Sequence, residues 1–314
     1  MKVKLNVKRF DPEKGSRTYF QKYEVDMDDQ ATVLDALIQV REYVDPTLAL
    51  RCSCRSAICG SCGMRINGMA GLGCKTKVFQ VAPNGEEINV EPMGNMKVIR
   101  DLIVDMGMFW DKIKAVQPWL QPSGPEPERE HIVPNQAMVD LTVAMNCIMC
   151  GSCVSDCTVM EVDKKFLGPA ALAKAYRFID DPRDGHKQER LEMYSKPGGI
   201  WDCTHCYFCV QVCPKDVAPM DRILNIRETA INYGVKNNHG ARHSDSFAAS
   251  VKVSGWLDEG RLAVESQGYT NIPGILSLMP VGARAMMAGK MPSPIHHKRP
   301  GSKYVKALFE KLEG

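Results

Sequence analysis

The chain has 314 residues, of which 44% are hydrophobic and 25% are charged, and its formal net charge is +3. These values are those of an ordinary soluble globular protein long enough for two domains, and the charge is too small to indicate nucleic-acid binding by itself. The sequence does not open with a signal-peptide pattern. The thirteen cysteines are therefore expected in a reducing, cytoplasmic setting and not in a disulfide framework. No apolar run approaches the roughly 20 residues of a transmembrane helix, because the longest, at 272–287, is interrupted by Pro280 and Arg284.

Residues 1–95 predict a small mixed domain. Alternating apolar residues predict strands at 2–10 and 18–25, and Thr32 is placed to cap a helix that runs to Val44. Shorter strands are predicted at 64–67, 75–81 and 87–90.

A cysteine-rich loop interrupts this domain. Cys54, Cys59 and Cys62 have the C-x4-C-x2-C spacing of plant-type ferredoxins, and Cys74 is the detached fourth ligand of a [2Fe–2S] cluster. Gly60 and Gly63 are expected to permit the unusual backbone dihedrals of such a loop. A four-cysteine zinc site is the alternative, although its pairs are usually separated by a longer stretch. Cys52 fits no ligand spacing and is interpreted as an unligated thiol.

The spacing of apolar residues then becomes that of a helix, and one apolar stripe predicts a helix over residues 98–119. Residues 117–134 are rich in proline and predict a semi-rigid, extended connection between domains. Further helices are predicted at 135–145, 170–179 and 219–233.

Two loops in this helical region repeat the spacing C-x2-C-x2-C-x3-C, and Pro214 follows the second loop. In bacterial ferredoxins the fourth cysteine of such a loop binds the other cluster. One cage is therefore predicted from Cys147, Cys150, Cys153 and Cys213, and the other from Cys157, Cys203 and Cys209, with Cys206 as its possible fourth ligand. A zinc-finger interpretation has no histidines at ligand spacing.

With these motifs in place, the chain resembles the iron–sulfur subunit of succinate dehydrogenases and fumarate reductases. The matching stretches are Cys54-Arg-Ser-Ala-Ile-Cys-Gly-Ser-Cys62, Val98-Ile-Arg-Asp-Leu-Ile-Val-Asp-Met106, Gln117-Pro-Trp-Leu-Gln121, Lys165-Phe-Leu-Gly-Pro-Ala170 and Cys209-Val-Gln-Val-Cys-Pro-Lys215. The resemblance implies an α+β fold in which an N-terminal β-grasp [2Fe–2S] ferredoxin domain precedes an α-helical ferredoxin domain.

The expected segments are a β-grasp domain with its following helix at 1–116, the linker at 117–134, the two-cluster domain at 135–235 and a helical extension at 236–314 that contacts a partner or the membrane surface. The resemblance also implies a flavoprotein partner with bound FAD, where succinate and fumarate interconvert. This chain would carry electrons between that flavin and quinone through three clusters and would not itself bind the organic acid. It would lie peripherally on the cytoplasmic side of the membrane, held by partner subunits.

The chain departs from the family pattern at two places. The second loop has Cys206 where most members have a non-cysteine residue, which predicts a third cluster of the [4Fe–4S] type, or [3Fe–4S] if Cys206 is not a ligand. Thr158-Val-Met-Glu-Val162 follows Cys157, where quinone-reducing members usually have a proline and tryptophans. His205 lies beside the ligands and is interpreted as a solvated or structural histidine.

Residues 236–314 extend past the usual end of the family and weakly resemble the tail of the small iron–sulfur subunit of heterodisulfide reductases. That resemblance implies an electron-accepting partner that is a cysteine-rich subunit instead of a membrane anchor, and a thiol-driven fumarate reductase as the alternative function. A nucleic-acid-binding iron–sulfur or zinc protein is a third hypothesis, but 7% aromatic residues and nearly balanced charge offer no basic aromatic face. The sequence leaves the physiological direction and the quinone type open.

Overall fold

A computed structural model of the chain describes residues 1–15, 17–293 and 295–313. The chain divides into two compact units, Met1–Ile226 and Arg227–Gly314. The first unit contains all thirteen cysteines.

The first unit begins with a five-stranded mixed sheet and one long helix. Its elements are β1 (Lys2–Arg9), β2 (Tyr19–Asp26), α1 (Val33–Tyr43), β3 (Gly63–Ile66), β4 (Met69–Leu72), α2 (Val78–Val81) and β5 (Glu87–Glu91). The strand order is β2-β1-β5-β3-β4, with β1 and β5 parallel and the other pairs antiparallel. The alternate residues Val3, Leu5 and Val7 of β1 are buried and join the buried face of α1 in one hydrophobic core. This is the predicted β-grasp arrangement.

Thr32 begins α1 as predicted. Its hydroxyl accepts from the Asp35 backbone N–H at 3.1 Å, and the Asp35 carboxylate accepts from the Thr32 N–H at 2.9 Å. This reciprocal capping box satisfies two backbone donors that the first helical turn leaves without partners.

The strand predicted at residues 75–81 is wrong. The strand of this region lies earlier, as β4, and residues 78–81 form the single turn α2. The backbone of residues 75–78 instead bonds to the start of α1, where Val33 N–H donates to Thr76 O at 2.9 Å and Val78 N–H donates to Ala31 O at 3.0 Å. These bonds form an isolated antiparallel β-bridge between Thr32 and Lys77, and it extends no further because α2 begins at Val78.

The helix predicted over residues 98–119 is also wrong in its first half. Residues 98–104 form a short hairpin, β6 (Val98–Arg100) and β7 (Ile103–Val104), and only α3 (Gly107–Ala115) is helical. The buried carboxylate of Asp101 in the turn accepts from Arg9 Nε at 2.9 Å, Phe10 N at 3.0 Å and Ala49 N at 2.9 Å. These long-range bonds stabilise the hairpin, and the spacing of apolar residues does not predict them.

The rest of the first unit is helical. It contains α4 (Asn135–Met145), α5 (Ser152–Ser155), α6 (Thr158–Val162), α7 (Pro169–Ile179), α8 (Lys187–Tyr194), α9 (Phe208–Gln211) and the beginning of α10 (Pro219–Asn232). Residues 116–134 have no regular secondary structure. The start of this connection is held by the buried Arg190, which donates to Gln117 O at 2.9 Å and Trp119 O at 2.8 Å and pairs with Asp184.

The second unit is entirely helical in its regular structure. It continues from α10 through α11 (His239–Ser254), α12 (Glu259–Gln267), α13 (Ile272–Leu276), α14 (Met279–Met287) and α15 (Ser302–Glu313). The predicted break in the 272–287 stretch is confirmed. Asn238 caps the start of α11, because its side chain accepts from Ala241 N–H at 2.9 Å. Within the described part of the chain, no helix combines the length and hydrophobicity needed to cross a bilayer.

Candidate metal centres

The loop between α1 and β3 directs backbone N–H groups at cysteine sulfurs. Cys54 Sγ accepts from Ser56 N at 3.3 Å, Ile58 N at 3.4 Å and Cys59 N at 3.3 Å. Cys74 Sγ accepts from Ala57 N at 3.3 Å and lies 3.3 Å from Cys62 Sγ. Donors converging on sulfur stabilise negative charge there, so this set has the chemistry that an anionic cluster held by thiolates requires.

Unusual backbone angles make this convergence possible. Arg55, Ala57 and Gly60 have φ values of +54°, +55° and +73°. Gly63 has no such angle, contrary to expectation, because it begins β3. It is needed for space, since a Cβ there would lie 3.0 Å from Met93 Sδ and 3.3 Å from Cys150 O.

The cysteines of this loop differ in their electrostatic surroundings. Hydrogen bonds, first from the Ser61 side chain and then from the backbone of Cys54 and Ser61, lower the pKa of the exposed Cys59 thiol to about 6. Burial raises the pKa of Cys62 to about 12. A buried thiol that resists ionisation in isolation ionises when a metal ion replaces its proton, so these values describe the free thiols.

The two loops of the helical region have the same backbone conformation. In the first, Met149 and Gly151 flank Cys150 with φ values of +58° and +81°. In the second, His205 and Tyr207 flank Cys206 with φ values of +57° and +64°. Gly151 caps the start of α5, and Tyr207 caps the start of α9. Each of these short helices contains the third cysteine of its loop. Cys206 therefore has the local geometry of Cys150.

The cysteines assemble across the two loops. One small cavity is lined by Cys147, Cys150, Cys153 and Cys213, and a second by Cys157, Cys203, Cys206 and Cys209. Val217 N–H donates to Cys213 Sγ at 3.4 Å. The fourth cysteine of each loop thus reaches the cavity of the other, as the motif predicts. Among the described residues, no three His, Cys, Asp or Glu side chains are close enough to hold a single metal ion.

The three cysteine sets adjoin one another. Gly60, in the first set's loop, packs so closely on the second that a Cβ there would lie 2.8 Å from both Cα and Cβ of Cys150. Burial raises the pKa of Cys153 well above its ordinary value, and neighbouring thiolate charges, including that of Cys209 in the third set, raise it further. Lys75 Nζ donates to Pro214 O at 3.0 Å and also ties the sheet domain to the helical region.

Three residues near the sulfurs lie outside the ligand sets. Cys52 is half-buried beside the sheet-domain core. His205 contributes its left-handed backbone angle to the second loop. Thr158 was not predicted to act at a site, yet its Oγ1 donates to Cys206 Sγ at 3.6 Å. Its position directly after Cys157 was the only signal in the sequence.

Two known domain families match separate segments of the chain. A 2Fe-2S iron-sulfur cluster binding domain matches residues 4–111, and a 4Fe-4S dicluster domain matches residues 143–217. The cysteine sets described above lie in these two segments.

Curated relatives cover most of the chain. The 8-methylmenaquinol:fumarate reductase iron-sulfur subunit of Wolinella succinogenes is 32% identical over 92% of this chain and 91% of its own length. The fumarate reductase iron-sulfur subunit of Mycobacterium tuberculosis is 38% identical over 75% of this chain and 95% of its own length. Among solved structures, a chain of the Mycobacterium smegmatis Sdh1 complex in the apo form matches with a TM-score of 0.69 and 25% identity, covering 75% of this chain and 98% of that one. The chain therefore belongs to the family of iron–sulfur subunits of succinate dehydrogenases and fumarate reductases, the electron-transfer subunits of these oxidoreductase complexes, as its motifs predicted.

Proposed function

We propose that this chain carries electrons between a flavoprotein subunit that contains FAD and a quinone, along three iron–sulfur clusters held in one line. The single observation that carries the proposal is the adjacency of the three cysteine sets: Gly60 packs against Cys150, and α5, which contains Cys153, contacts α9, which contains Cys209. Such adjacency suits the passage of single electrons from cluster to cluster.

The proposed ligands are the twelve cysteines of the three sets. A [2Fe–2S] cluster would be held by Cys54, Cys59, Cys62 and Cys74; a [4Fe–4S] cluster by Cys147, Cys150, Cys153 and Cys213; and the third cluster by Cys157, Cys203, Cys206 and Cys209. When bound, the clusters supply the one-electron redox chemistry. The chain supplies the thiolates, the N–H donors at Cys54 and Cys74, and the burial that tune the potentials.

We propose that the third cluster is of the [4Fe–4S] type. Support comes from the shared conformation around Cys150 and Cys206 and from the place of Cys206 in the wall of the third cavity. A [3Fe–4S] cluster would leave Cys206 as a free, exposed thiol.

The chain would exchange electrons with its quinone-side partner at the third cluster. Tyr207 and Phe208 beside it are 48% and 44% exposed, although aromatic side chains are usually more buried. A cavity of about 650 Å³ opens next to Cys157 and Thr158. A partner subunit or a quinone therefore has access to this end of the line.

Support for the proposed partners comes from the relative that also spans most of residues 236–314. Its name assigns it to an 8-methylmenaquinol:fumarate reductase, which favours electron flow from a quinol to fumarate here. We propose a peripheral position on the cytoplasmic side of the membrane, with the chain held there by a cysteine-rich subunit or a membrane anchor. A thiol-driven fumarate reductase is the alternative, and it differs in the electron donor.

Purification of the intact complex under anaerobic conditions tests the proposal. The expected preparation contains a flavoprotein, this chain and a subunit that exchanges electrons with quinone, and it reduces fumarate with a menaquinol analogue. Fumarate reduction by thiols alone would favour the alternative. A properly folded chain that contains zinc but neither iron nor acid-labile sulfide would contradict both.

A further inference from the structure

The second unit exposes large apolar side chains over a long stretch. Neither α13 nor α14 has a buried residue. The side chains of this stretch that are about half exposed or more are Ile272, Leu276, Met279, Val281, Met286, Met287, Met291 and Ile295. Soluble proteins rarely leave so many neighbouring apolar side chains without a partner.

The exposed side chains of α14 have an ordered arrangement. Met279, Met286 and Met287 recur at i, i+7 and i+8, and therefore share one face of the helix. All three are at least 65% exposed. The part-buried residues, Leu278, Gly282 and Ala285, lie together on a neighbouring face. The helix thus turns its most apolar side chains outward.

The charge of this region is of one sign. From Ser266 to Phe309 the chain contains no aspartate or glutamate but has six cationic residues, Arg284, Lys290, Lys298, Arg299, Lys303 and Lys306. Because the whole chain carries +3 and this segment +6, the remainder carries a net negative charge. Lys306 forms an ion pair with Glu310, just beyond this segment, at 3.6 Å. Exposed apolar residues beside such a surplus of cations are complementary to an anionic lipid surface.

The cationic segment is also held in a defined position. Arg299 N–H donates to Ser254 O at 2.8 Å, and the Arg299 guanidinium lies 4.3 Å from the centre of the Trp256 ring. His296 stacks on the same ring at 4.6 Å and contacts Ser254 Oγ at 2.7 Å. The segment between α14 and α15 is therefore anchored to the end of α11.

We propose that α13, α14 and the cationic residues that follow them bind the surface of a membrane that contains anionic lipids. Met279, Met286 and Met287 would enter the region between headgroups and acyl chains, and Lys290, Lys298, Lys303 and Lys306 would contact lipid phosphates. The contact lies in the surface plane. It is independent of the proposed electron route, because it uses none of the cysteine sets.

Vesicle flotation of the full-length chain with its clusters tests this proposal. The chain should float with vesicles made of equal parts phosphatidylcholine and phosphatidylglycerol and not with pure phosphatidylcholine, and high salt should release it. Replacing Met279, Met286 and Met287 together by serine should weaken binding about tenfold or more. Replacing the four lysines by glutamine should remove the preference for phosphatidylglycerol.

The matched control replaces Tyr43, Val44 and Ile132, which are at least 55% exposed and lie in the first unit. This variant should bind as the unmodified chain does. Absence of flotation, equal binding to both vesicle types, or binding unchanged by the methionine substitutions would each overturn the proposal. Protection of the three methionines from oxidation by a protein subunit of the purified complex, without vesicle binding, would assign this surface to a protein partner instead.

Discussion

The two ferredoxin loops have one backbone conformation but different surroundings. The first loop lies against the sheet domain, where Cys150 contacts Gly60. The second is open, with Cys206 exposed and Tyr207 and Phe208 near half exposure. The cysteine spacing therefore specifies the cage, while the packing around it determines its role. The enclosed second cluster would relay electrons within the chain, and the open third cluster would exchange them with a partner.

The largest expected difference between the loops concerns their equivalent cysteines. Cys150→Ser should prevent the second cluster from assembling. It should also destabilise the enclosed region by about 3 kcal/mol or more, and 3 kcal/mol corresponds to about 6–12 °C in Tm. Cys206→Ser should leave the fold intact and give a three-iron EPR signal after air oxidation, because the three other cysteines remain. Iron and sulfide content, EPR and thermal unfolding measure both variants. Equal losses of iron and stability in the two variants would contradict the comparison.

An effect on stability alone, without loss of a cluster ligand, is expected where the enclosed loop meets the sheet domain. Gly60→Ala should destabilise the chain by about 2–5 kcal/mol, because the new Cβ combines a left-handed backbone with overlap of the Cys150 backbone. Gly68→Ala is the matched control. It has φ +86° but open space around it, so only about 1–2 kcal/mol of strain is expected. Thermal unfolding of both variants separates contact from strain, and equal shifts would rule out the contact.

The residues after Cys150 and Cys206 should respond with opposite signs. Gly151→Ala should destabilise the chain by about 1–2 kcal/mol, because a Cβ at φ +81° would also lie 2.9 Å from Met96 Cε. Tyr207→Gly should stabilise it by up to about 1 kcal/mol by removing a side chain from a left-handed position. Denaturation midpoints measure both changes. Destabilisation by Tyr207→Gly would show that the tyrosine ring contributes more through packing than its backbone costs.

The smallest expected effect is a change in potential. Thr158→Val should lower the midpoint potential of the third cluster by roughly 20–60 mV, the equivalent of one net hydrogen bond of about 0.5–1.5 kcal/mol. The lost donor to Cys206 Sγ stabilises the reduced, more negative state. Redox titration followed by EPR measures the shift, and Thr158→Ser, which keeps the hydroxyl, is the control. The same lowered potential in both variants would mean that the hydroxyl is not responsible.

Most of the fold and the cysteine sets could be predicted because local rules specify them. Cys54, Cys59 and Cys62 lie within nine residues of one loop, and the capping box at Thr32 lies within four residues. The failures had long-range causes. The helical period over residues 98–106 was real in the sequence, but Asp101 bonded to Arg9, Phe10 and Ala49 holds a hairpin there.

The sequence by itself determined which residues are available to bind metal and which loops carry them, because ligand chemistry and short spacings are local properties of the chain. Only the tertiary structure decided which loop is enclosed, that Thr158 reaches Cys206, and that Gly60 contacts Cys150. Those relations join residues far apart in the chain, and they arise from the packing of the sheet domain against the helices, which no short pattern encodes.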